Sequence, residues 1–241
     1  MDYTFYIILG LIPSFIWLLF FLRKDSHPES NKMIIKVFLL GMVAAYFAAY
    51  IEHILVSSLK NITDIWLYSF PVIYTILYHF LAIAFVEEYV KYLAVRLQAL
   101  RSSEFDEPTD AMLYVIIAGL GFAALENILV LFMPFDKALL DTLTIAGFRF
   151  IGATFLHALC SAVVGYFLAL SLYETKKRFL LITLGLIIAS FLHGIYNFSI
   201  MKIIDNTNFI FVPIFLLISV AVFVSFGFKK LKNMASVCKT K

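Results

Sequence analysis

Charged residues are scarce in this chain. Only 15% of its 241 residues are Asp, Glu, Lys or Arg, whereas 63% are hydrophobic, and a typical soluble domain has about 25% charged residues. A soluble protein of this length needs a polar shell around its core, which this composition does not provide. The shortage of charge therefore excludes a soluble protein and leaves no segment that could act alone as a soluble domain.

Cysteine is nearly absent as well. Of the two cysteines, Cys160 lies in an apolar run and Cys238 lies in the basic tail. Neither has an obvious partner in the sequence, so no disulfide framework is predicted and the redox compartment stays open.

Several motifs of soluble enzymes are also missing. The chain has no H-E-x-x-H, which excludes a zincin-type site, and it has no Walker, Rossmann or Gly-rich phosphate loop. The net charge is only +3, and we interpret the basic tail as a topology determinant with some attraction to anionic lipids. These features predict the lipid bilayer as a partner and no nucleic acid.

What the sequence has instead is a series of long apolar stretches separated by short polar breaks. About 20 helical residues cross the roughly 30 Å hydrocarbon core of a bilayer. Seven stretches suffice for this: Tyr3–Leu22, Met33–Leu59, Ile65–Leu97, Ala111–Phe135, Leu143–Tyr173, Phe179–Met201 and Phe209–Phe228. We predict an all-α transmembrane bundle of seven helices, with an eighth, broken element before Pro71 as an alternative. The third and fifth stretches exceed a simple span, so we expect tilt or an extension beyond the bilayer there.

No repeat, low-complexity region or Gly/Ser linker interrupts this series. The sequence therefore predicts one integral membrane domain over residues 1–241. The first stretch lacks a basic n-region and a small-residue cleavage site, so we expect a retained helix rather than a cleaved signal.

The distribution of Lys and Arg predicts the orientation of the bundle. One side of the predicted helices collects 15 of the 19 basic residues, including Lys91, and the other side has three, while Arg149 falls within a span. Cytoplasmic loops carry the excess of Lys and Arg. The sequence therefore predicts a multi-pass cell-membrane protein with its N-terminus outside and its C-terminus in the cytoplasm.

Polar residues remain inside four consecutive spans. Ionisable groups in hydrocarbon cost several kcal/mol, so they persist where they face the bundle interior and have a function. The four groups, in chain order, are Glu87, Glu88 and Lys91; Glu126 and Asn127; Arg149, His157 and Ser161; and His193 and Asn197.

The spacing of these residues predicts that they meet inside the bundle. Residues four apart share a helix face, as Glu87 and Lys91 do on the third span. At 1.5 Å per residue, Glu87, Glu126, His157 and His193 all lie about 20–24 Å from the end at which their span begins. Carboxylates and imidazoles on four helices can therefore converge near the middle of the membrane.

The chemistry that best suits such a site is attack of an activated water on an amide. One of Glu87 and Glu88 can accept a proton from water while the other orients it or binds metal. His157 and His193 could donate hydrogen bonds to an oxyanion, or bind a divalent metal such as zinc together with Glu126.

Several polar residues have a second interpretation. Lys91 could extend to the cytoplasmic face rather than pair with Glu87 or Glu88. Glu52 and His53 fall near the outer end of the second span and are expected at the membrane interface. His79 could share the face of Glu87, although we favour core packing for it.

These residues also resemble a known family. E-E-x-x-K at Glu87–Lys91, F-x-x-x-E-N at Phe122–Asn127, R…H-x-x-x-S at Arg149–Ser161 and H-x-x-x-N at His193–Asn197 are similar to the successive motifs of the PrsW family of intramembrane proteases. The resemblance covers about residues 81–197 in the correct order.

The resemblance extends to related families but favours the PrsW branch. Type II CAAX prenyl endopeptidases and bacteriocin-processing or self-immunity proteins are relatives, and the prenyl endopeptidases usually show E-E-x-x-x-R and F-x-x-x-H. Lys91 and Glu126 therefore favour PrsW. The resemblance implies cleavage of membrane-anchored regulators, including anti-sigma factors, by either a metal-dependent or a glutamate-dependent mechanism.

Two other functions are compatible with buried Glu and His residues. A proton-coupled transporter or channel also uses such chains, but transporters often have inverted repeats, and none is found here. A non-catalytic membrane scaffold or immunity protein is the third hypothesis, because the self-immunity relatives make it plausible.

Overall fold

The computed structural model describes residues 3–25, 28–63, 71–102, 104–132 and 139–234. Every regular element within these ranges is helical. The nine α-helices there are α1 (Tyr3–Leu22), α2 (Asn31–Thr63), α3 (Pro71–Ile76), α4 (Val86–Gln98), α5 (Pro108–Phe132), α6 (Leu139–Ile151), α7 (Ala153–Tyr173), α8 (Arg178–Lys202) and α9 (Phe211–Lys232). The predicted all-α class is confirmed, whereas the alternative element before Pro71, like Cys238, lies outside the described residues.

Seven segments of this structure are long and apolar enough to cross a membrane, as predicted. Five of them each contain one of the long α-helices: α1, α2, α5, α8 and α9. The other two are composite, since Val72–Arg101 contains α3 and α4 and Leu139–Tyr173 contains α6 and α7. These are the two stretches that the sequence marked as longer than a simple span.

The third span owes its length to a π-helix at Leu77–Phe85, which joins α3 to α4. Such helices are rare and are frequent at functional sites. This one ends directly before the turn that carries Glu87 and Glu88, and it packs against α8. A Cβ at Gly194 would lie 2.4 Å from the Phe80 ring, so only glycine lets the π-helix approach α8 this closely.

The fifth span is divided in two. Its backbone leaves the α-helical region at Gly152, with φ −93° and ψ −87°, so α6 ends at Ile151 and α7 begins at Ala153. The sequence predicted one continuous stretch from Leu143 to Tyr173. As a result of the break, Arg149 and His157 lie on separate helices.

Helix α5 forms the centre of the bundle. It packs against α1, α2 and α7, and its residues from Ala111 to Ala118 are almost completely buried. The phenyl ring of Phe122, one turn before Glu126, packs against the His157 ring with centroids 5.4 Å apart. The central helix therefore connects the hydrophobic core to the polar residues of α4, α7 and α8.

The loops at the α5 N-terminus are tied to the loop before α2. The Asp110 carboxylate accepts hydrogen bonds from the backbone N–H groups of Asp106 at 2.9 Å and Glu107 at 2.6 Å, as the third residue of a helix does in a capping box. The Tyr114 hydroxyl donates to the Glu29 carboxyl group. We call this side of the bundle the basic face, because Arg23, Lys24, Lys176, Lys177 and Arg178 lie at the same ends of the helices, and the other side the opposite face.

Candidate active site

Helix α4 supplies two carboxylates and an ammonium group, all buried. Lys91 Nζ lies 2.8 Å from Glu88 Oε1 and 3.5 Å from Glu87 Oε2. It also lies 4.3 Å from the centroid of the Phe122 ring, a cation–π distance. Lys91 therefore pairs with both glutamates, and the alternative in which it extends to the membrane surface is wrong.

His157, on α7, joins α4 to α5. Its Nδ1 lies 2.8 Å from Lys91 Nζ, and its Nε2 lies 2.7 Å from Glu126 Oε2. A lysine ammonium can only donate, so Nδ1 must be the acceptor and the proton is assigned to Nε2, which donates to Glu126. The Nδ1 lone pair of a neutral imidazole therefore faces α4.

His193, on α8, has a corresponding arrangement. Its Nδ1 lies 2.9 Å from Glu88 Oε1, to which it donates, and its Nε2 lies 3.7 Å from Glu87 Oε2. The rings of His193 and His157 are nearly perpendicular, with centroids 5.0 Å apart. Both imidazoles thus turn a lone-pair nitrogen toward the same Glu87 oxygen, since His157 Nδ1 also lies 3.7 Å from it.

Ligand atoms of Glu87, His157 and His193 all lie within 4.8 Å of one another and could hold a metal ion. Two imidazoles and one carboxylate are a known ligand set of catalytic zinc sites. In such sites the second ring nitrogen of each histidine usually donates to a carboxylate, as His157 does to Glu126 and His193 to Glu88. The donor set therefore fits a zinc-type ion. In this geometry Glu87 is the third candidate ligand, and Glu126 accepts a hydrogen bond from the other ring nitrogen of His157. The sequence had instead predicted Glu126 as a metal ligand together with the two histidines.

Arg149 and Asn127 support Glu126. Arg149 Nη2 lies 3.0 Å from Glu126 Oε1, and its Nε donates to Asn127 Oδ1 at 2.6 Å. Asn127 in turn donates to Thr154 Oγ1 at 2.9 Å. These bonds fix Glu126, whose side chain is 32% exposed and is more accessible than the other two glutamates.

Two further predicted residues, Ser161 and Asn197, lie on the same helices as the histidines of this cluster. Ser161 Oγ is buried and has no hydrogen-bond partner among the described residues, so it forms no serine–histidine pair with His157. Asn197 lies half-buried on α8, one turn beyond His193.

The structure places Glu52 closer to the polar cluster than the sequence indicated. Helix α2 continues to Thr63, and the Glu52 carboxylate is close enough for electrostatic interaction with Glu87, Glu126 and Lys91. His53 points outward and is exposed. The signal missed in the sequence is the spacing of Gly41, Ala45, Ala48 and Glu52, which places the carboxylate on the inward face of the helix.

The chain is similar to known proteins of one family. A model described as PrsW family intramembrane metalloprotease matches residues 29–226. The protein named Protease PrsW from Bacillus subtilis (strain 168) is 29% identical over 235 residues, which cover 95% of this chain and 94% of that protein. Protease PrsW from Oceanobacillus iheyensis is 28% identical over 209 residues, which cover 87% and 88%. No solved structure matches the chain.

The fold and the matches together define a multi-pass membrane peptidase. The chain belongs to the PrsW family of intramembrane metalloproteases. The family predicted from the motifs is confirmed. Membership of this family implies that the substrate is a protein in the membrane. The transporter and scaffold hypotheses are not favoured by these findings.

Proposed function

We propose that this protein hydrolyses a peptide bond of a membrane-anchored protein inside the polar cluster, with Glu88 as the base that activates water. Glu88 Oε1 is occupied by Lys91 and His193, whereas Oε2 is buried with no hydrogen-bond partner among the described residues. This free oxygen can take the proton of a water molecule that attacks the scissile carbonyl carbon.

The observation that carries the proposal is the convergence of His157 Nδ1 and His193 Nε2 on Glu87 Oε2, at 3.7 Å each. We propose that these three residues hold a divalent metal ion such as zinc. When bound, such an ion polarises a carbonyl group and makes water more acidic. Glu126 and Glu88 hold the two imidazoles in the tautomers that place a lone pair on each of these nitrogens. The lone pair of His157 Nδ1 accepts a hydrogen bond from Lys91 in this structure, so a metal ion would displace the Lys91 ammonium group from it.

Hydrolysis also requires transfer of a proton and compensation of the buried negative charge. As the new C–O bond forms, the proton moves from water to Glu88, and it passes to the leaving nitrogen when the C–N bond breaks. Lys91 compensates the negative charge of the two glutamates on α4. Arg149 and Asn127 fix Glu126 and hence His157, so they are positioning residues.

For substrates, we propose membrane-anchored regulators of the anti-sigma-factor type, on the resemblance of the motifs. We also propose one domain over residues 1–241, an outside N-terminus and a cytoplasmic basic face. Lys91 lies in the polar cluster and therefore does not count among the basic residues that predict the orientation. Without it, the basic face still has more Lys and Arg residues than the opposite face.

The test of the activity is cleavage of a panel of single-span substrates, including an anti-sigma-factor-like protein, by the purified full chain in liposomes. We expect cleavage by the wild type, its loss with a chelator and its recovery with zinc. Glu174→Gln is the matched control, because Glu174 is exposed at the end of α7. Failure of the wild type to cut any substrate would reject the proposal.

Thiol labelling in intact cells tests the orientation. A cysteine introduced at Asn208, between α8 and α9, should react from outside, and one at Lys177 should react only after permeabilisation. The reverse pattern would reverse the assignment of the two faces.

A further inference from the structure

Glu52 occupies the same face of α2 as a row of small buried residues. Ala44, Ala45 and Ala48 form one hydrophobic cluster with Val86 and Phe122. Val86 directly precedes Glu87, and Phe122 lies one turn before Glu126. Glu52 follows Ala48 by one helical turn, so its side chain leaves α2 beside the polar cluster, on the side toward the opposite face.

The Glu52 carboxylate has an unused acceptor there. Its Oε1 is buried and has no hydrogen-bond partner among the described residues. The carboxylate interacts electrostatically with Glu126 and Lys91, and also with Tyr78 on the π-helix. A buried acceptor without a partner is unfavourable, and most such groups in proteins are satisfied by protein, water or ligand.

A cavity lies on the opposite face, and Tyr78, with which Glu52 interacts electrostatically, is one of the residues that line it. Its volume is about 470 Å³, within the roughly 300–1,000 Å³ of ligand pockets. Tyr74, Tyr78, His79 and Phe198 line it together with Lys202 near the end of α8. His79 is only 6% exposed, and within the part of the chain that the structure describes its Nδ1 is a second buried polar atom of this region with no hydrogen-bond partner.

On α8 the cluster lies nearer to the opposite face than to the basic face. His193 lies nine residues from Lys202, about 14 Å along α8, but 15 residues from Arg178, about 23 Å. Along this helix the opposite face is therefore the nearer end.

Peptide hydrolysis explains why acceptors are needed here. A helical segment must be extended locally before its carbonyl carbon can be attacked, and this frees main-chain N–H groups that no bulk water can satisfy inside a membrane protein. A carboxylate is a strong acceptor for such a group. An aromatic-lined cavity suits the side chains of the same extended segment.

On these observations, and resting on the proposed proteolysis, we propose a substrate subsite formed by Glu52 and the cavity of Tyr78 and His79. It binds the extended segment of the substrate on the opposite-face side of the scissile bond. Glu52 Oε1 accepts a hydrogen bond from a main-chain N–H of that segment, and the aromatic residues contact its side chains.

The experiment compares Glu52→Gln and Glu52→Leu in the full chain with the exposed neighbour variant His53→Ala as control. The anti-sigma-factor-like single-span protein is the probe in liposomes. We expect Glu52→Leu to raise KM at least 10-fold with kcat changed less than threefold. Glu52→Gln retains an acceptor oxygen but loses the charge, so it should raise KM less than Glu52→Leu does. His53→Ala should stay within about threefold of the wild type.

Binding separates this inference from the proposed activity. The fluorescently labelled probe should bind Glu88→Gln, which we expect to be inactive, and bind Glu88→Gln/Glu52→Leu at least 10-fold more weakly. Equal binding by the two variants, or no binding by either, would overturn the subsite. So would a fall in kcat with unchanged KM in both Glu52 variants, because Glu52 would then act on the chemistry. The proposed activity fails separately, if the wild type cuts nothing.

Discussion

Lys91 Nζ lies 2.8 Å from Nδ1 of His157, deep inside a bundle whose other interior residues are mostly apolar. The lysine is completely buried and also forms ion pairs with both glutamates on its own helix. A buried ion network of this kind is strongly destabilised when one partner is removed, because the remaining charges stay buried without compensation.

Replacing Lys91 with methionine should therefore destabilise the protein. We expect a loss of about 3–5 kcal/mol in the free energy of unfolding, seen as a lower melting temperature of the detergent-purified chain. Lys177→Met, at an exposed position between α7 and α8, should leave the melting temperature within about 1 °C of the wild type. A Lys91→Met protein as stable as the wild type would show that the glutamates do not need this ammonium group.

The packing of α2 on α5 provides a second prediction. A Cβ at Gly41 would lie 2.1 Å from the backbone oxygen of Ala118, and backbone atoms cannot move aside as a side chain can. Gly41→Ala should therefore separate the two helices and cost about 1–3 kcal/mol of stability.

The control for this substitution is Gly147→Ala on α6. A Cβ there would meet nothing within 4 Å. The substitution should therefore stabilise the protein by about 0.4–1 kcal/mol, because alanine lowers the conformational entropy of the unfolded chain. Thermal melting of both variants in the same detergent makes the comparison. Equal effects of the two substitutions would contradict the close approach of α2 and α5.

The helices and their order could be predicted from the sequence because the signal is local. Apolar length alone identifies seven spans, and four-residue spacing alone places Glu87 with Lys91 and His193 with Asn197 on their helices. The convergence of Glu87, His157 and His193 followed from estimated depth, since helices in one bilayer share a common scale.

Other features depend on contacts between helices and left no clear signal. The π-helix before Glu87 does not alter the hydropathy, and the break at Gly152 does not interrupt the apolar run. Charge counting placed Lys91 with the basic side of the bundle, and the sequence left open whether it pairs with Glu87 or Glu88 or extends to the membrane surface. The role of Glu126 behind His157, rather than within the triad, depends on its pairing with Arg149 across a helix boundary.

The loop before α2 should make stability depend on pH. Partial burial, together with the nearby carboxyl groups of Asp110 and Asp25, raises the pKa of Glu29 from 4.5 to about 8. Between these values the folded protein holds a proton that the unfolded chain has released, so stability should fall as pH rises from about 5 to 8. The effect should be small, because Glu29 is only half-buried.

Glu29→Gln tests this dependence while keeping an oxygen that can accept the Tyr114 hydroxyl hydrogen bond. Melting temperatures of the wild type and the variant, measured from pH 5 to 9, should converge near pH 5 and separate above it, with the variant the more stable. Parallel curves across the whole range would mean that Glu29 ionises in the folded protein as it does in the unfolded chain.

The last prediction separates the adjacent glutamates of α4. If Glu87 holds a metal with His157 and His193, Glu87→Gln should weaken zinc binding as well as proteolysis. Glu88→Gln should reduce kcat by about 10²- to 10⁴-fold, the range of acid–base groups, and should retain most of the zinc. It loses the carboxylate that orients His193, which predicts at most a 10- to 100-fold weaker metal affinity.

Zinc content after equilibration in a fixed excess of free zinc distinguishes the two variants. It is measured by mass spectrometry beside the cleavage rate. If Glu87→Gln keeps both full zinc occupancy and full activity, Glu87 is not a ligand. If the Glu88→Gln variant cuts at the wild-type rate, the base is another residue, and Glu87 becomes the first to test.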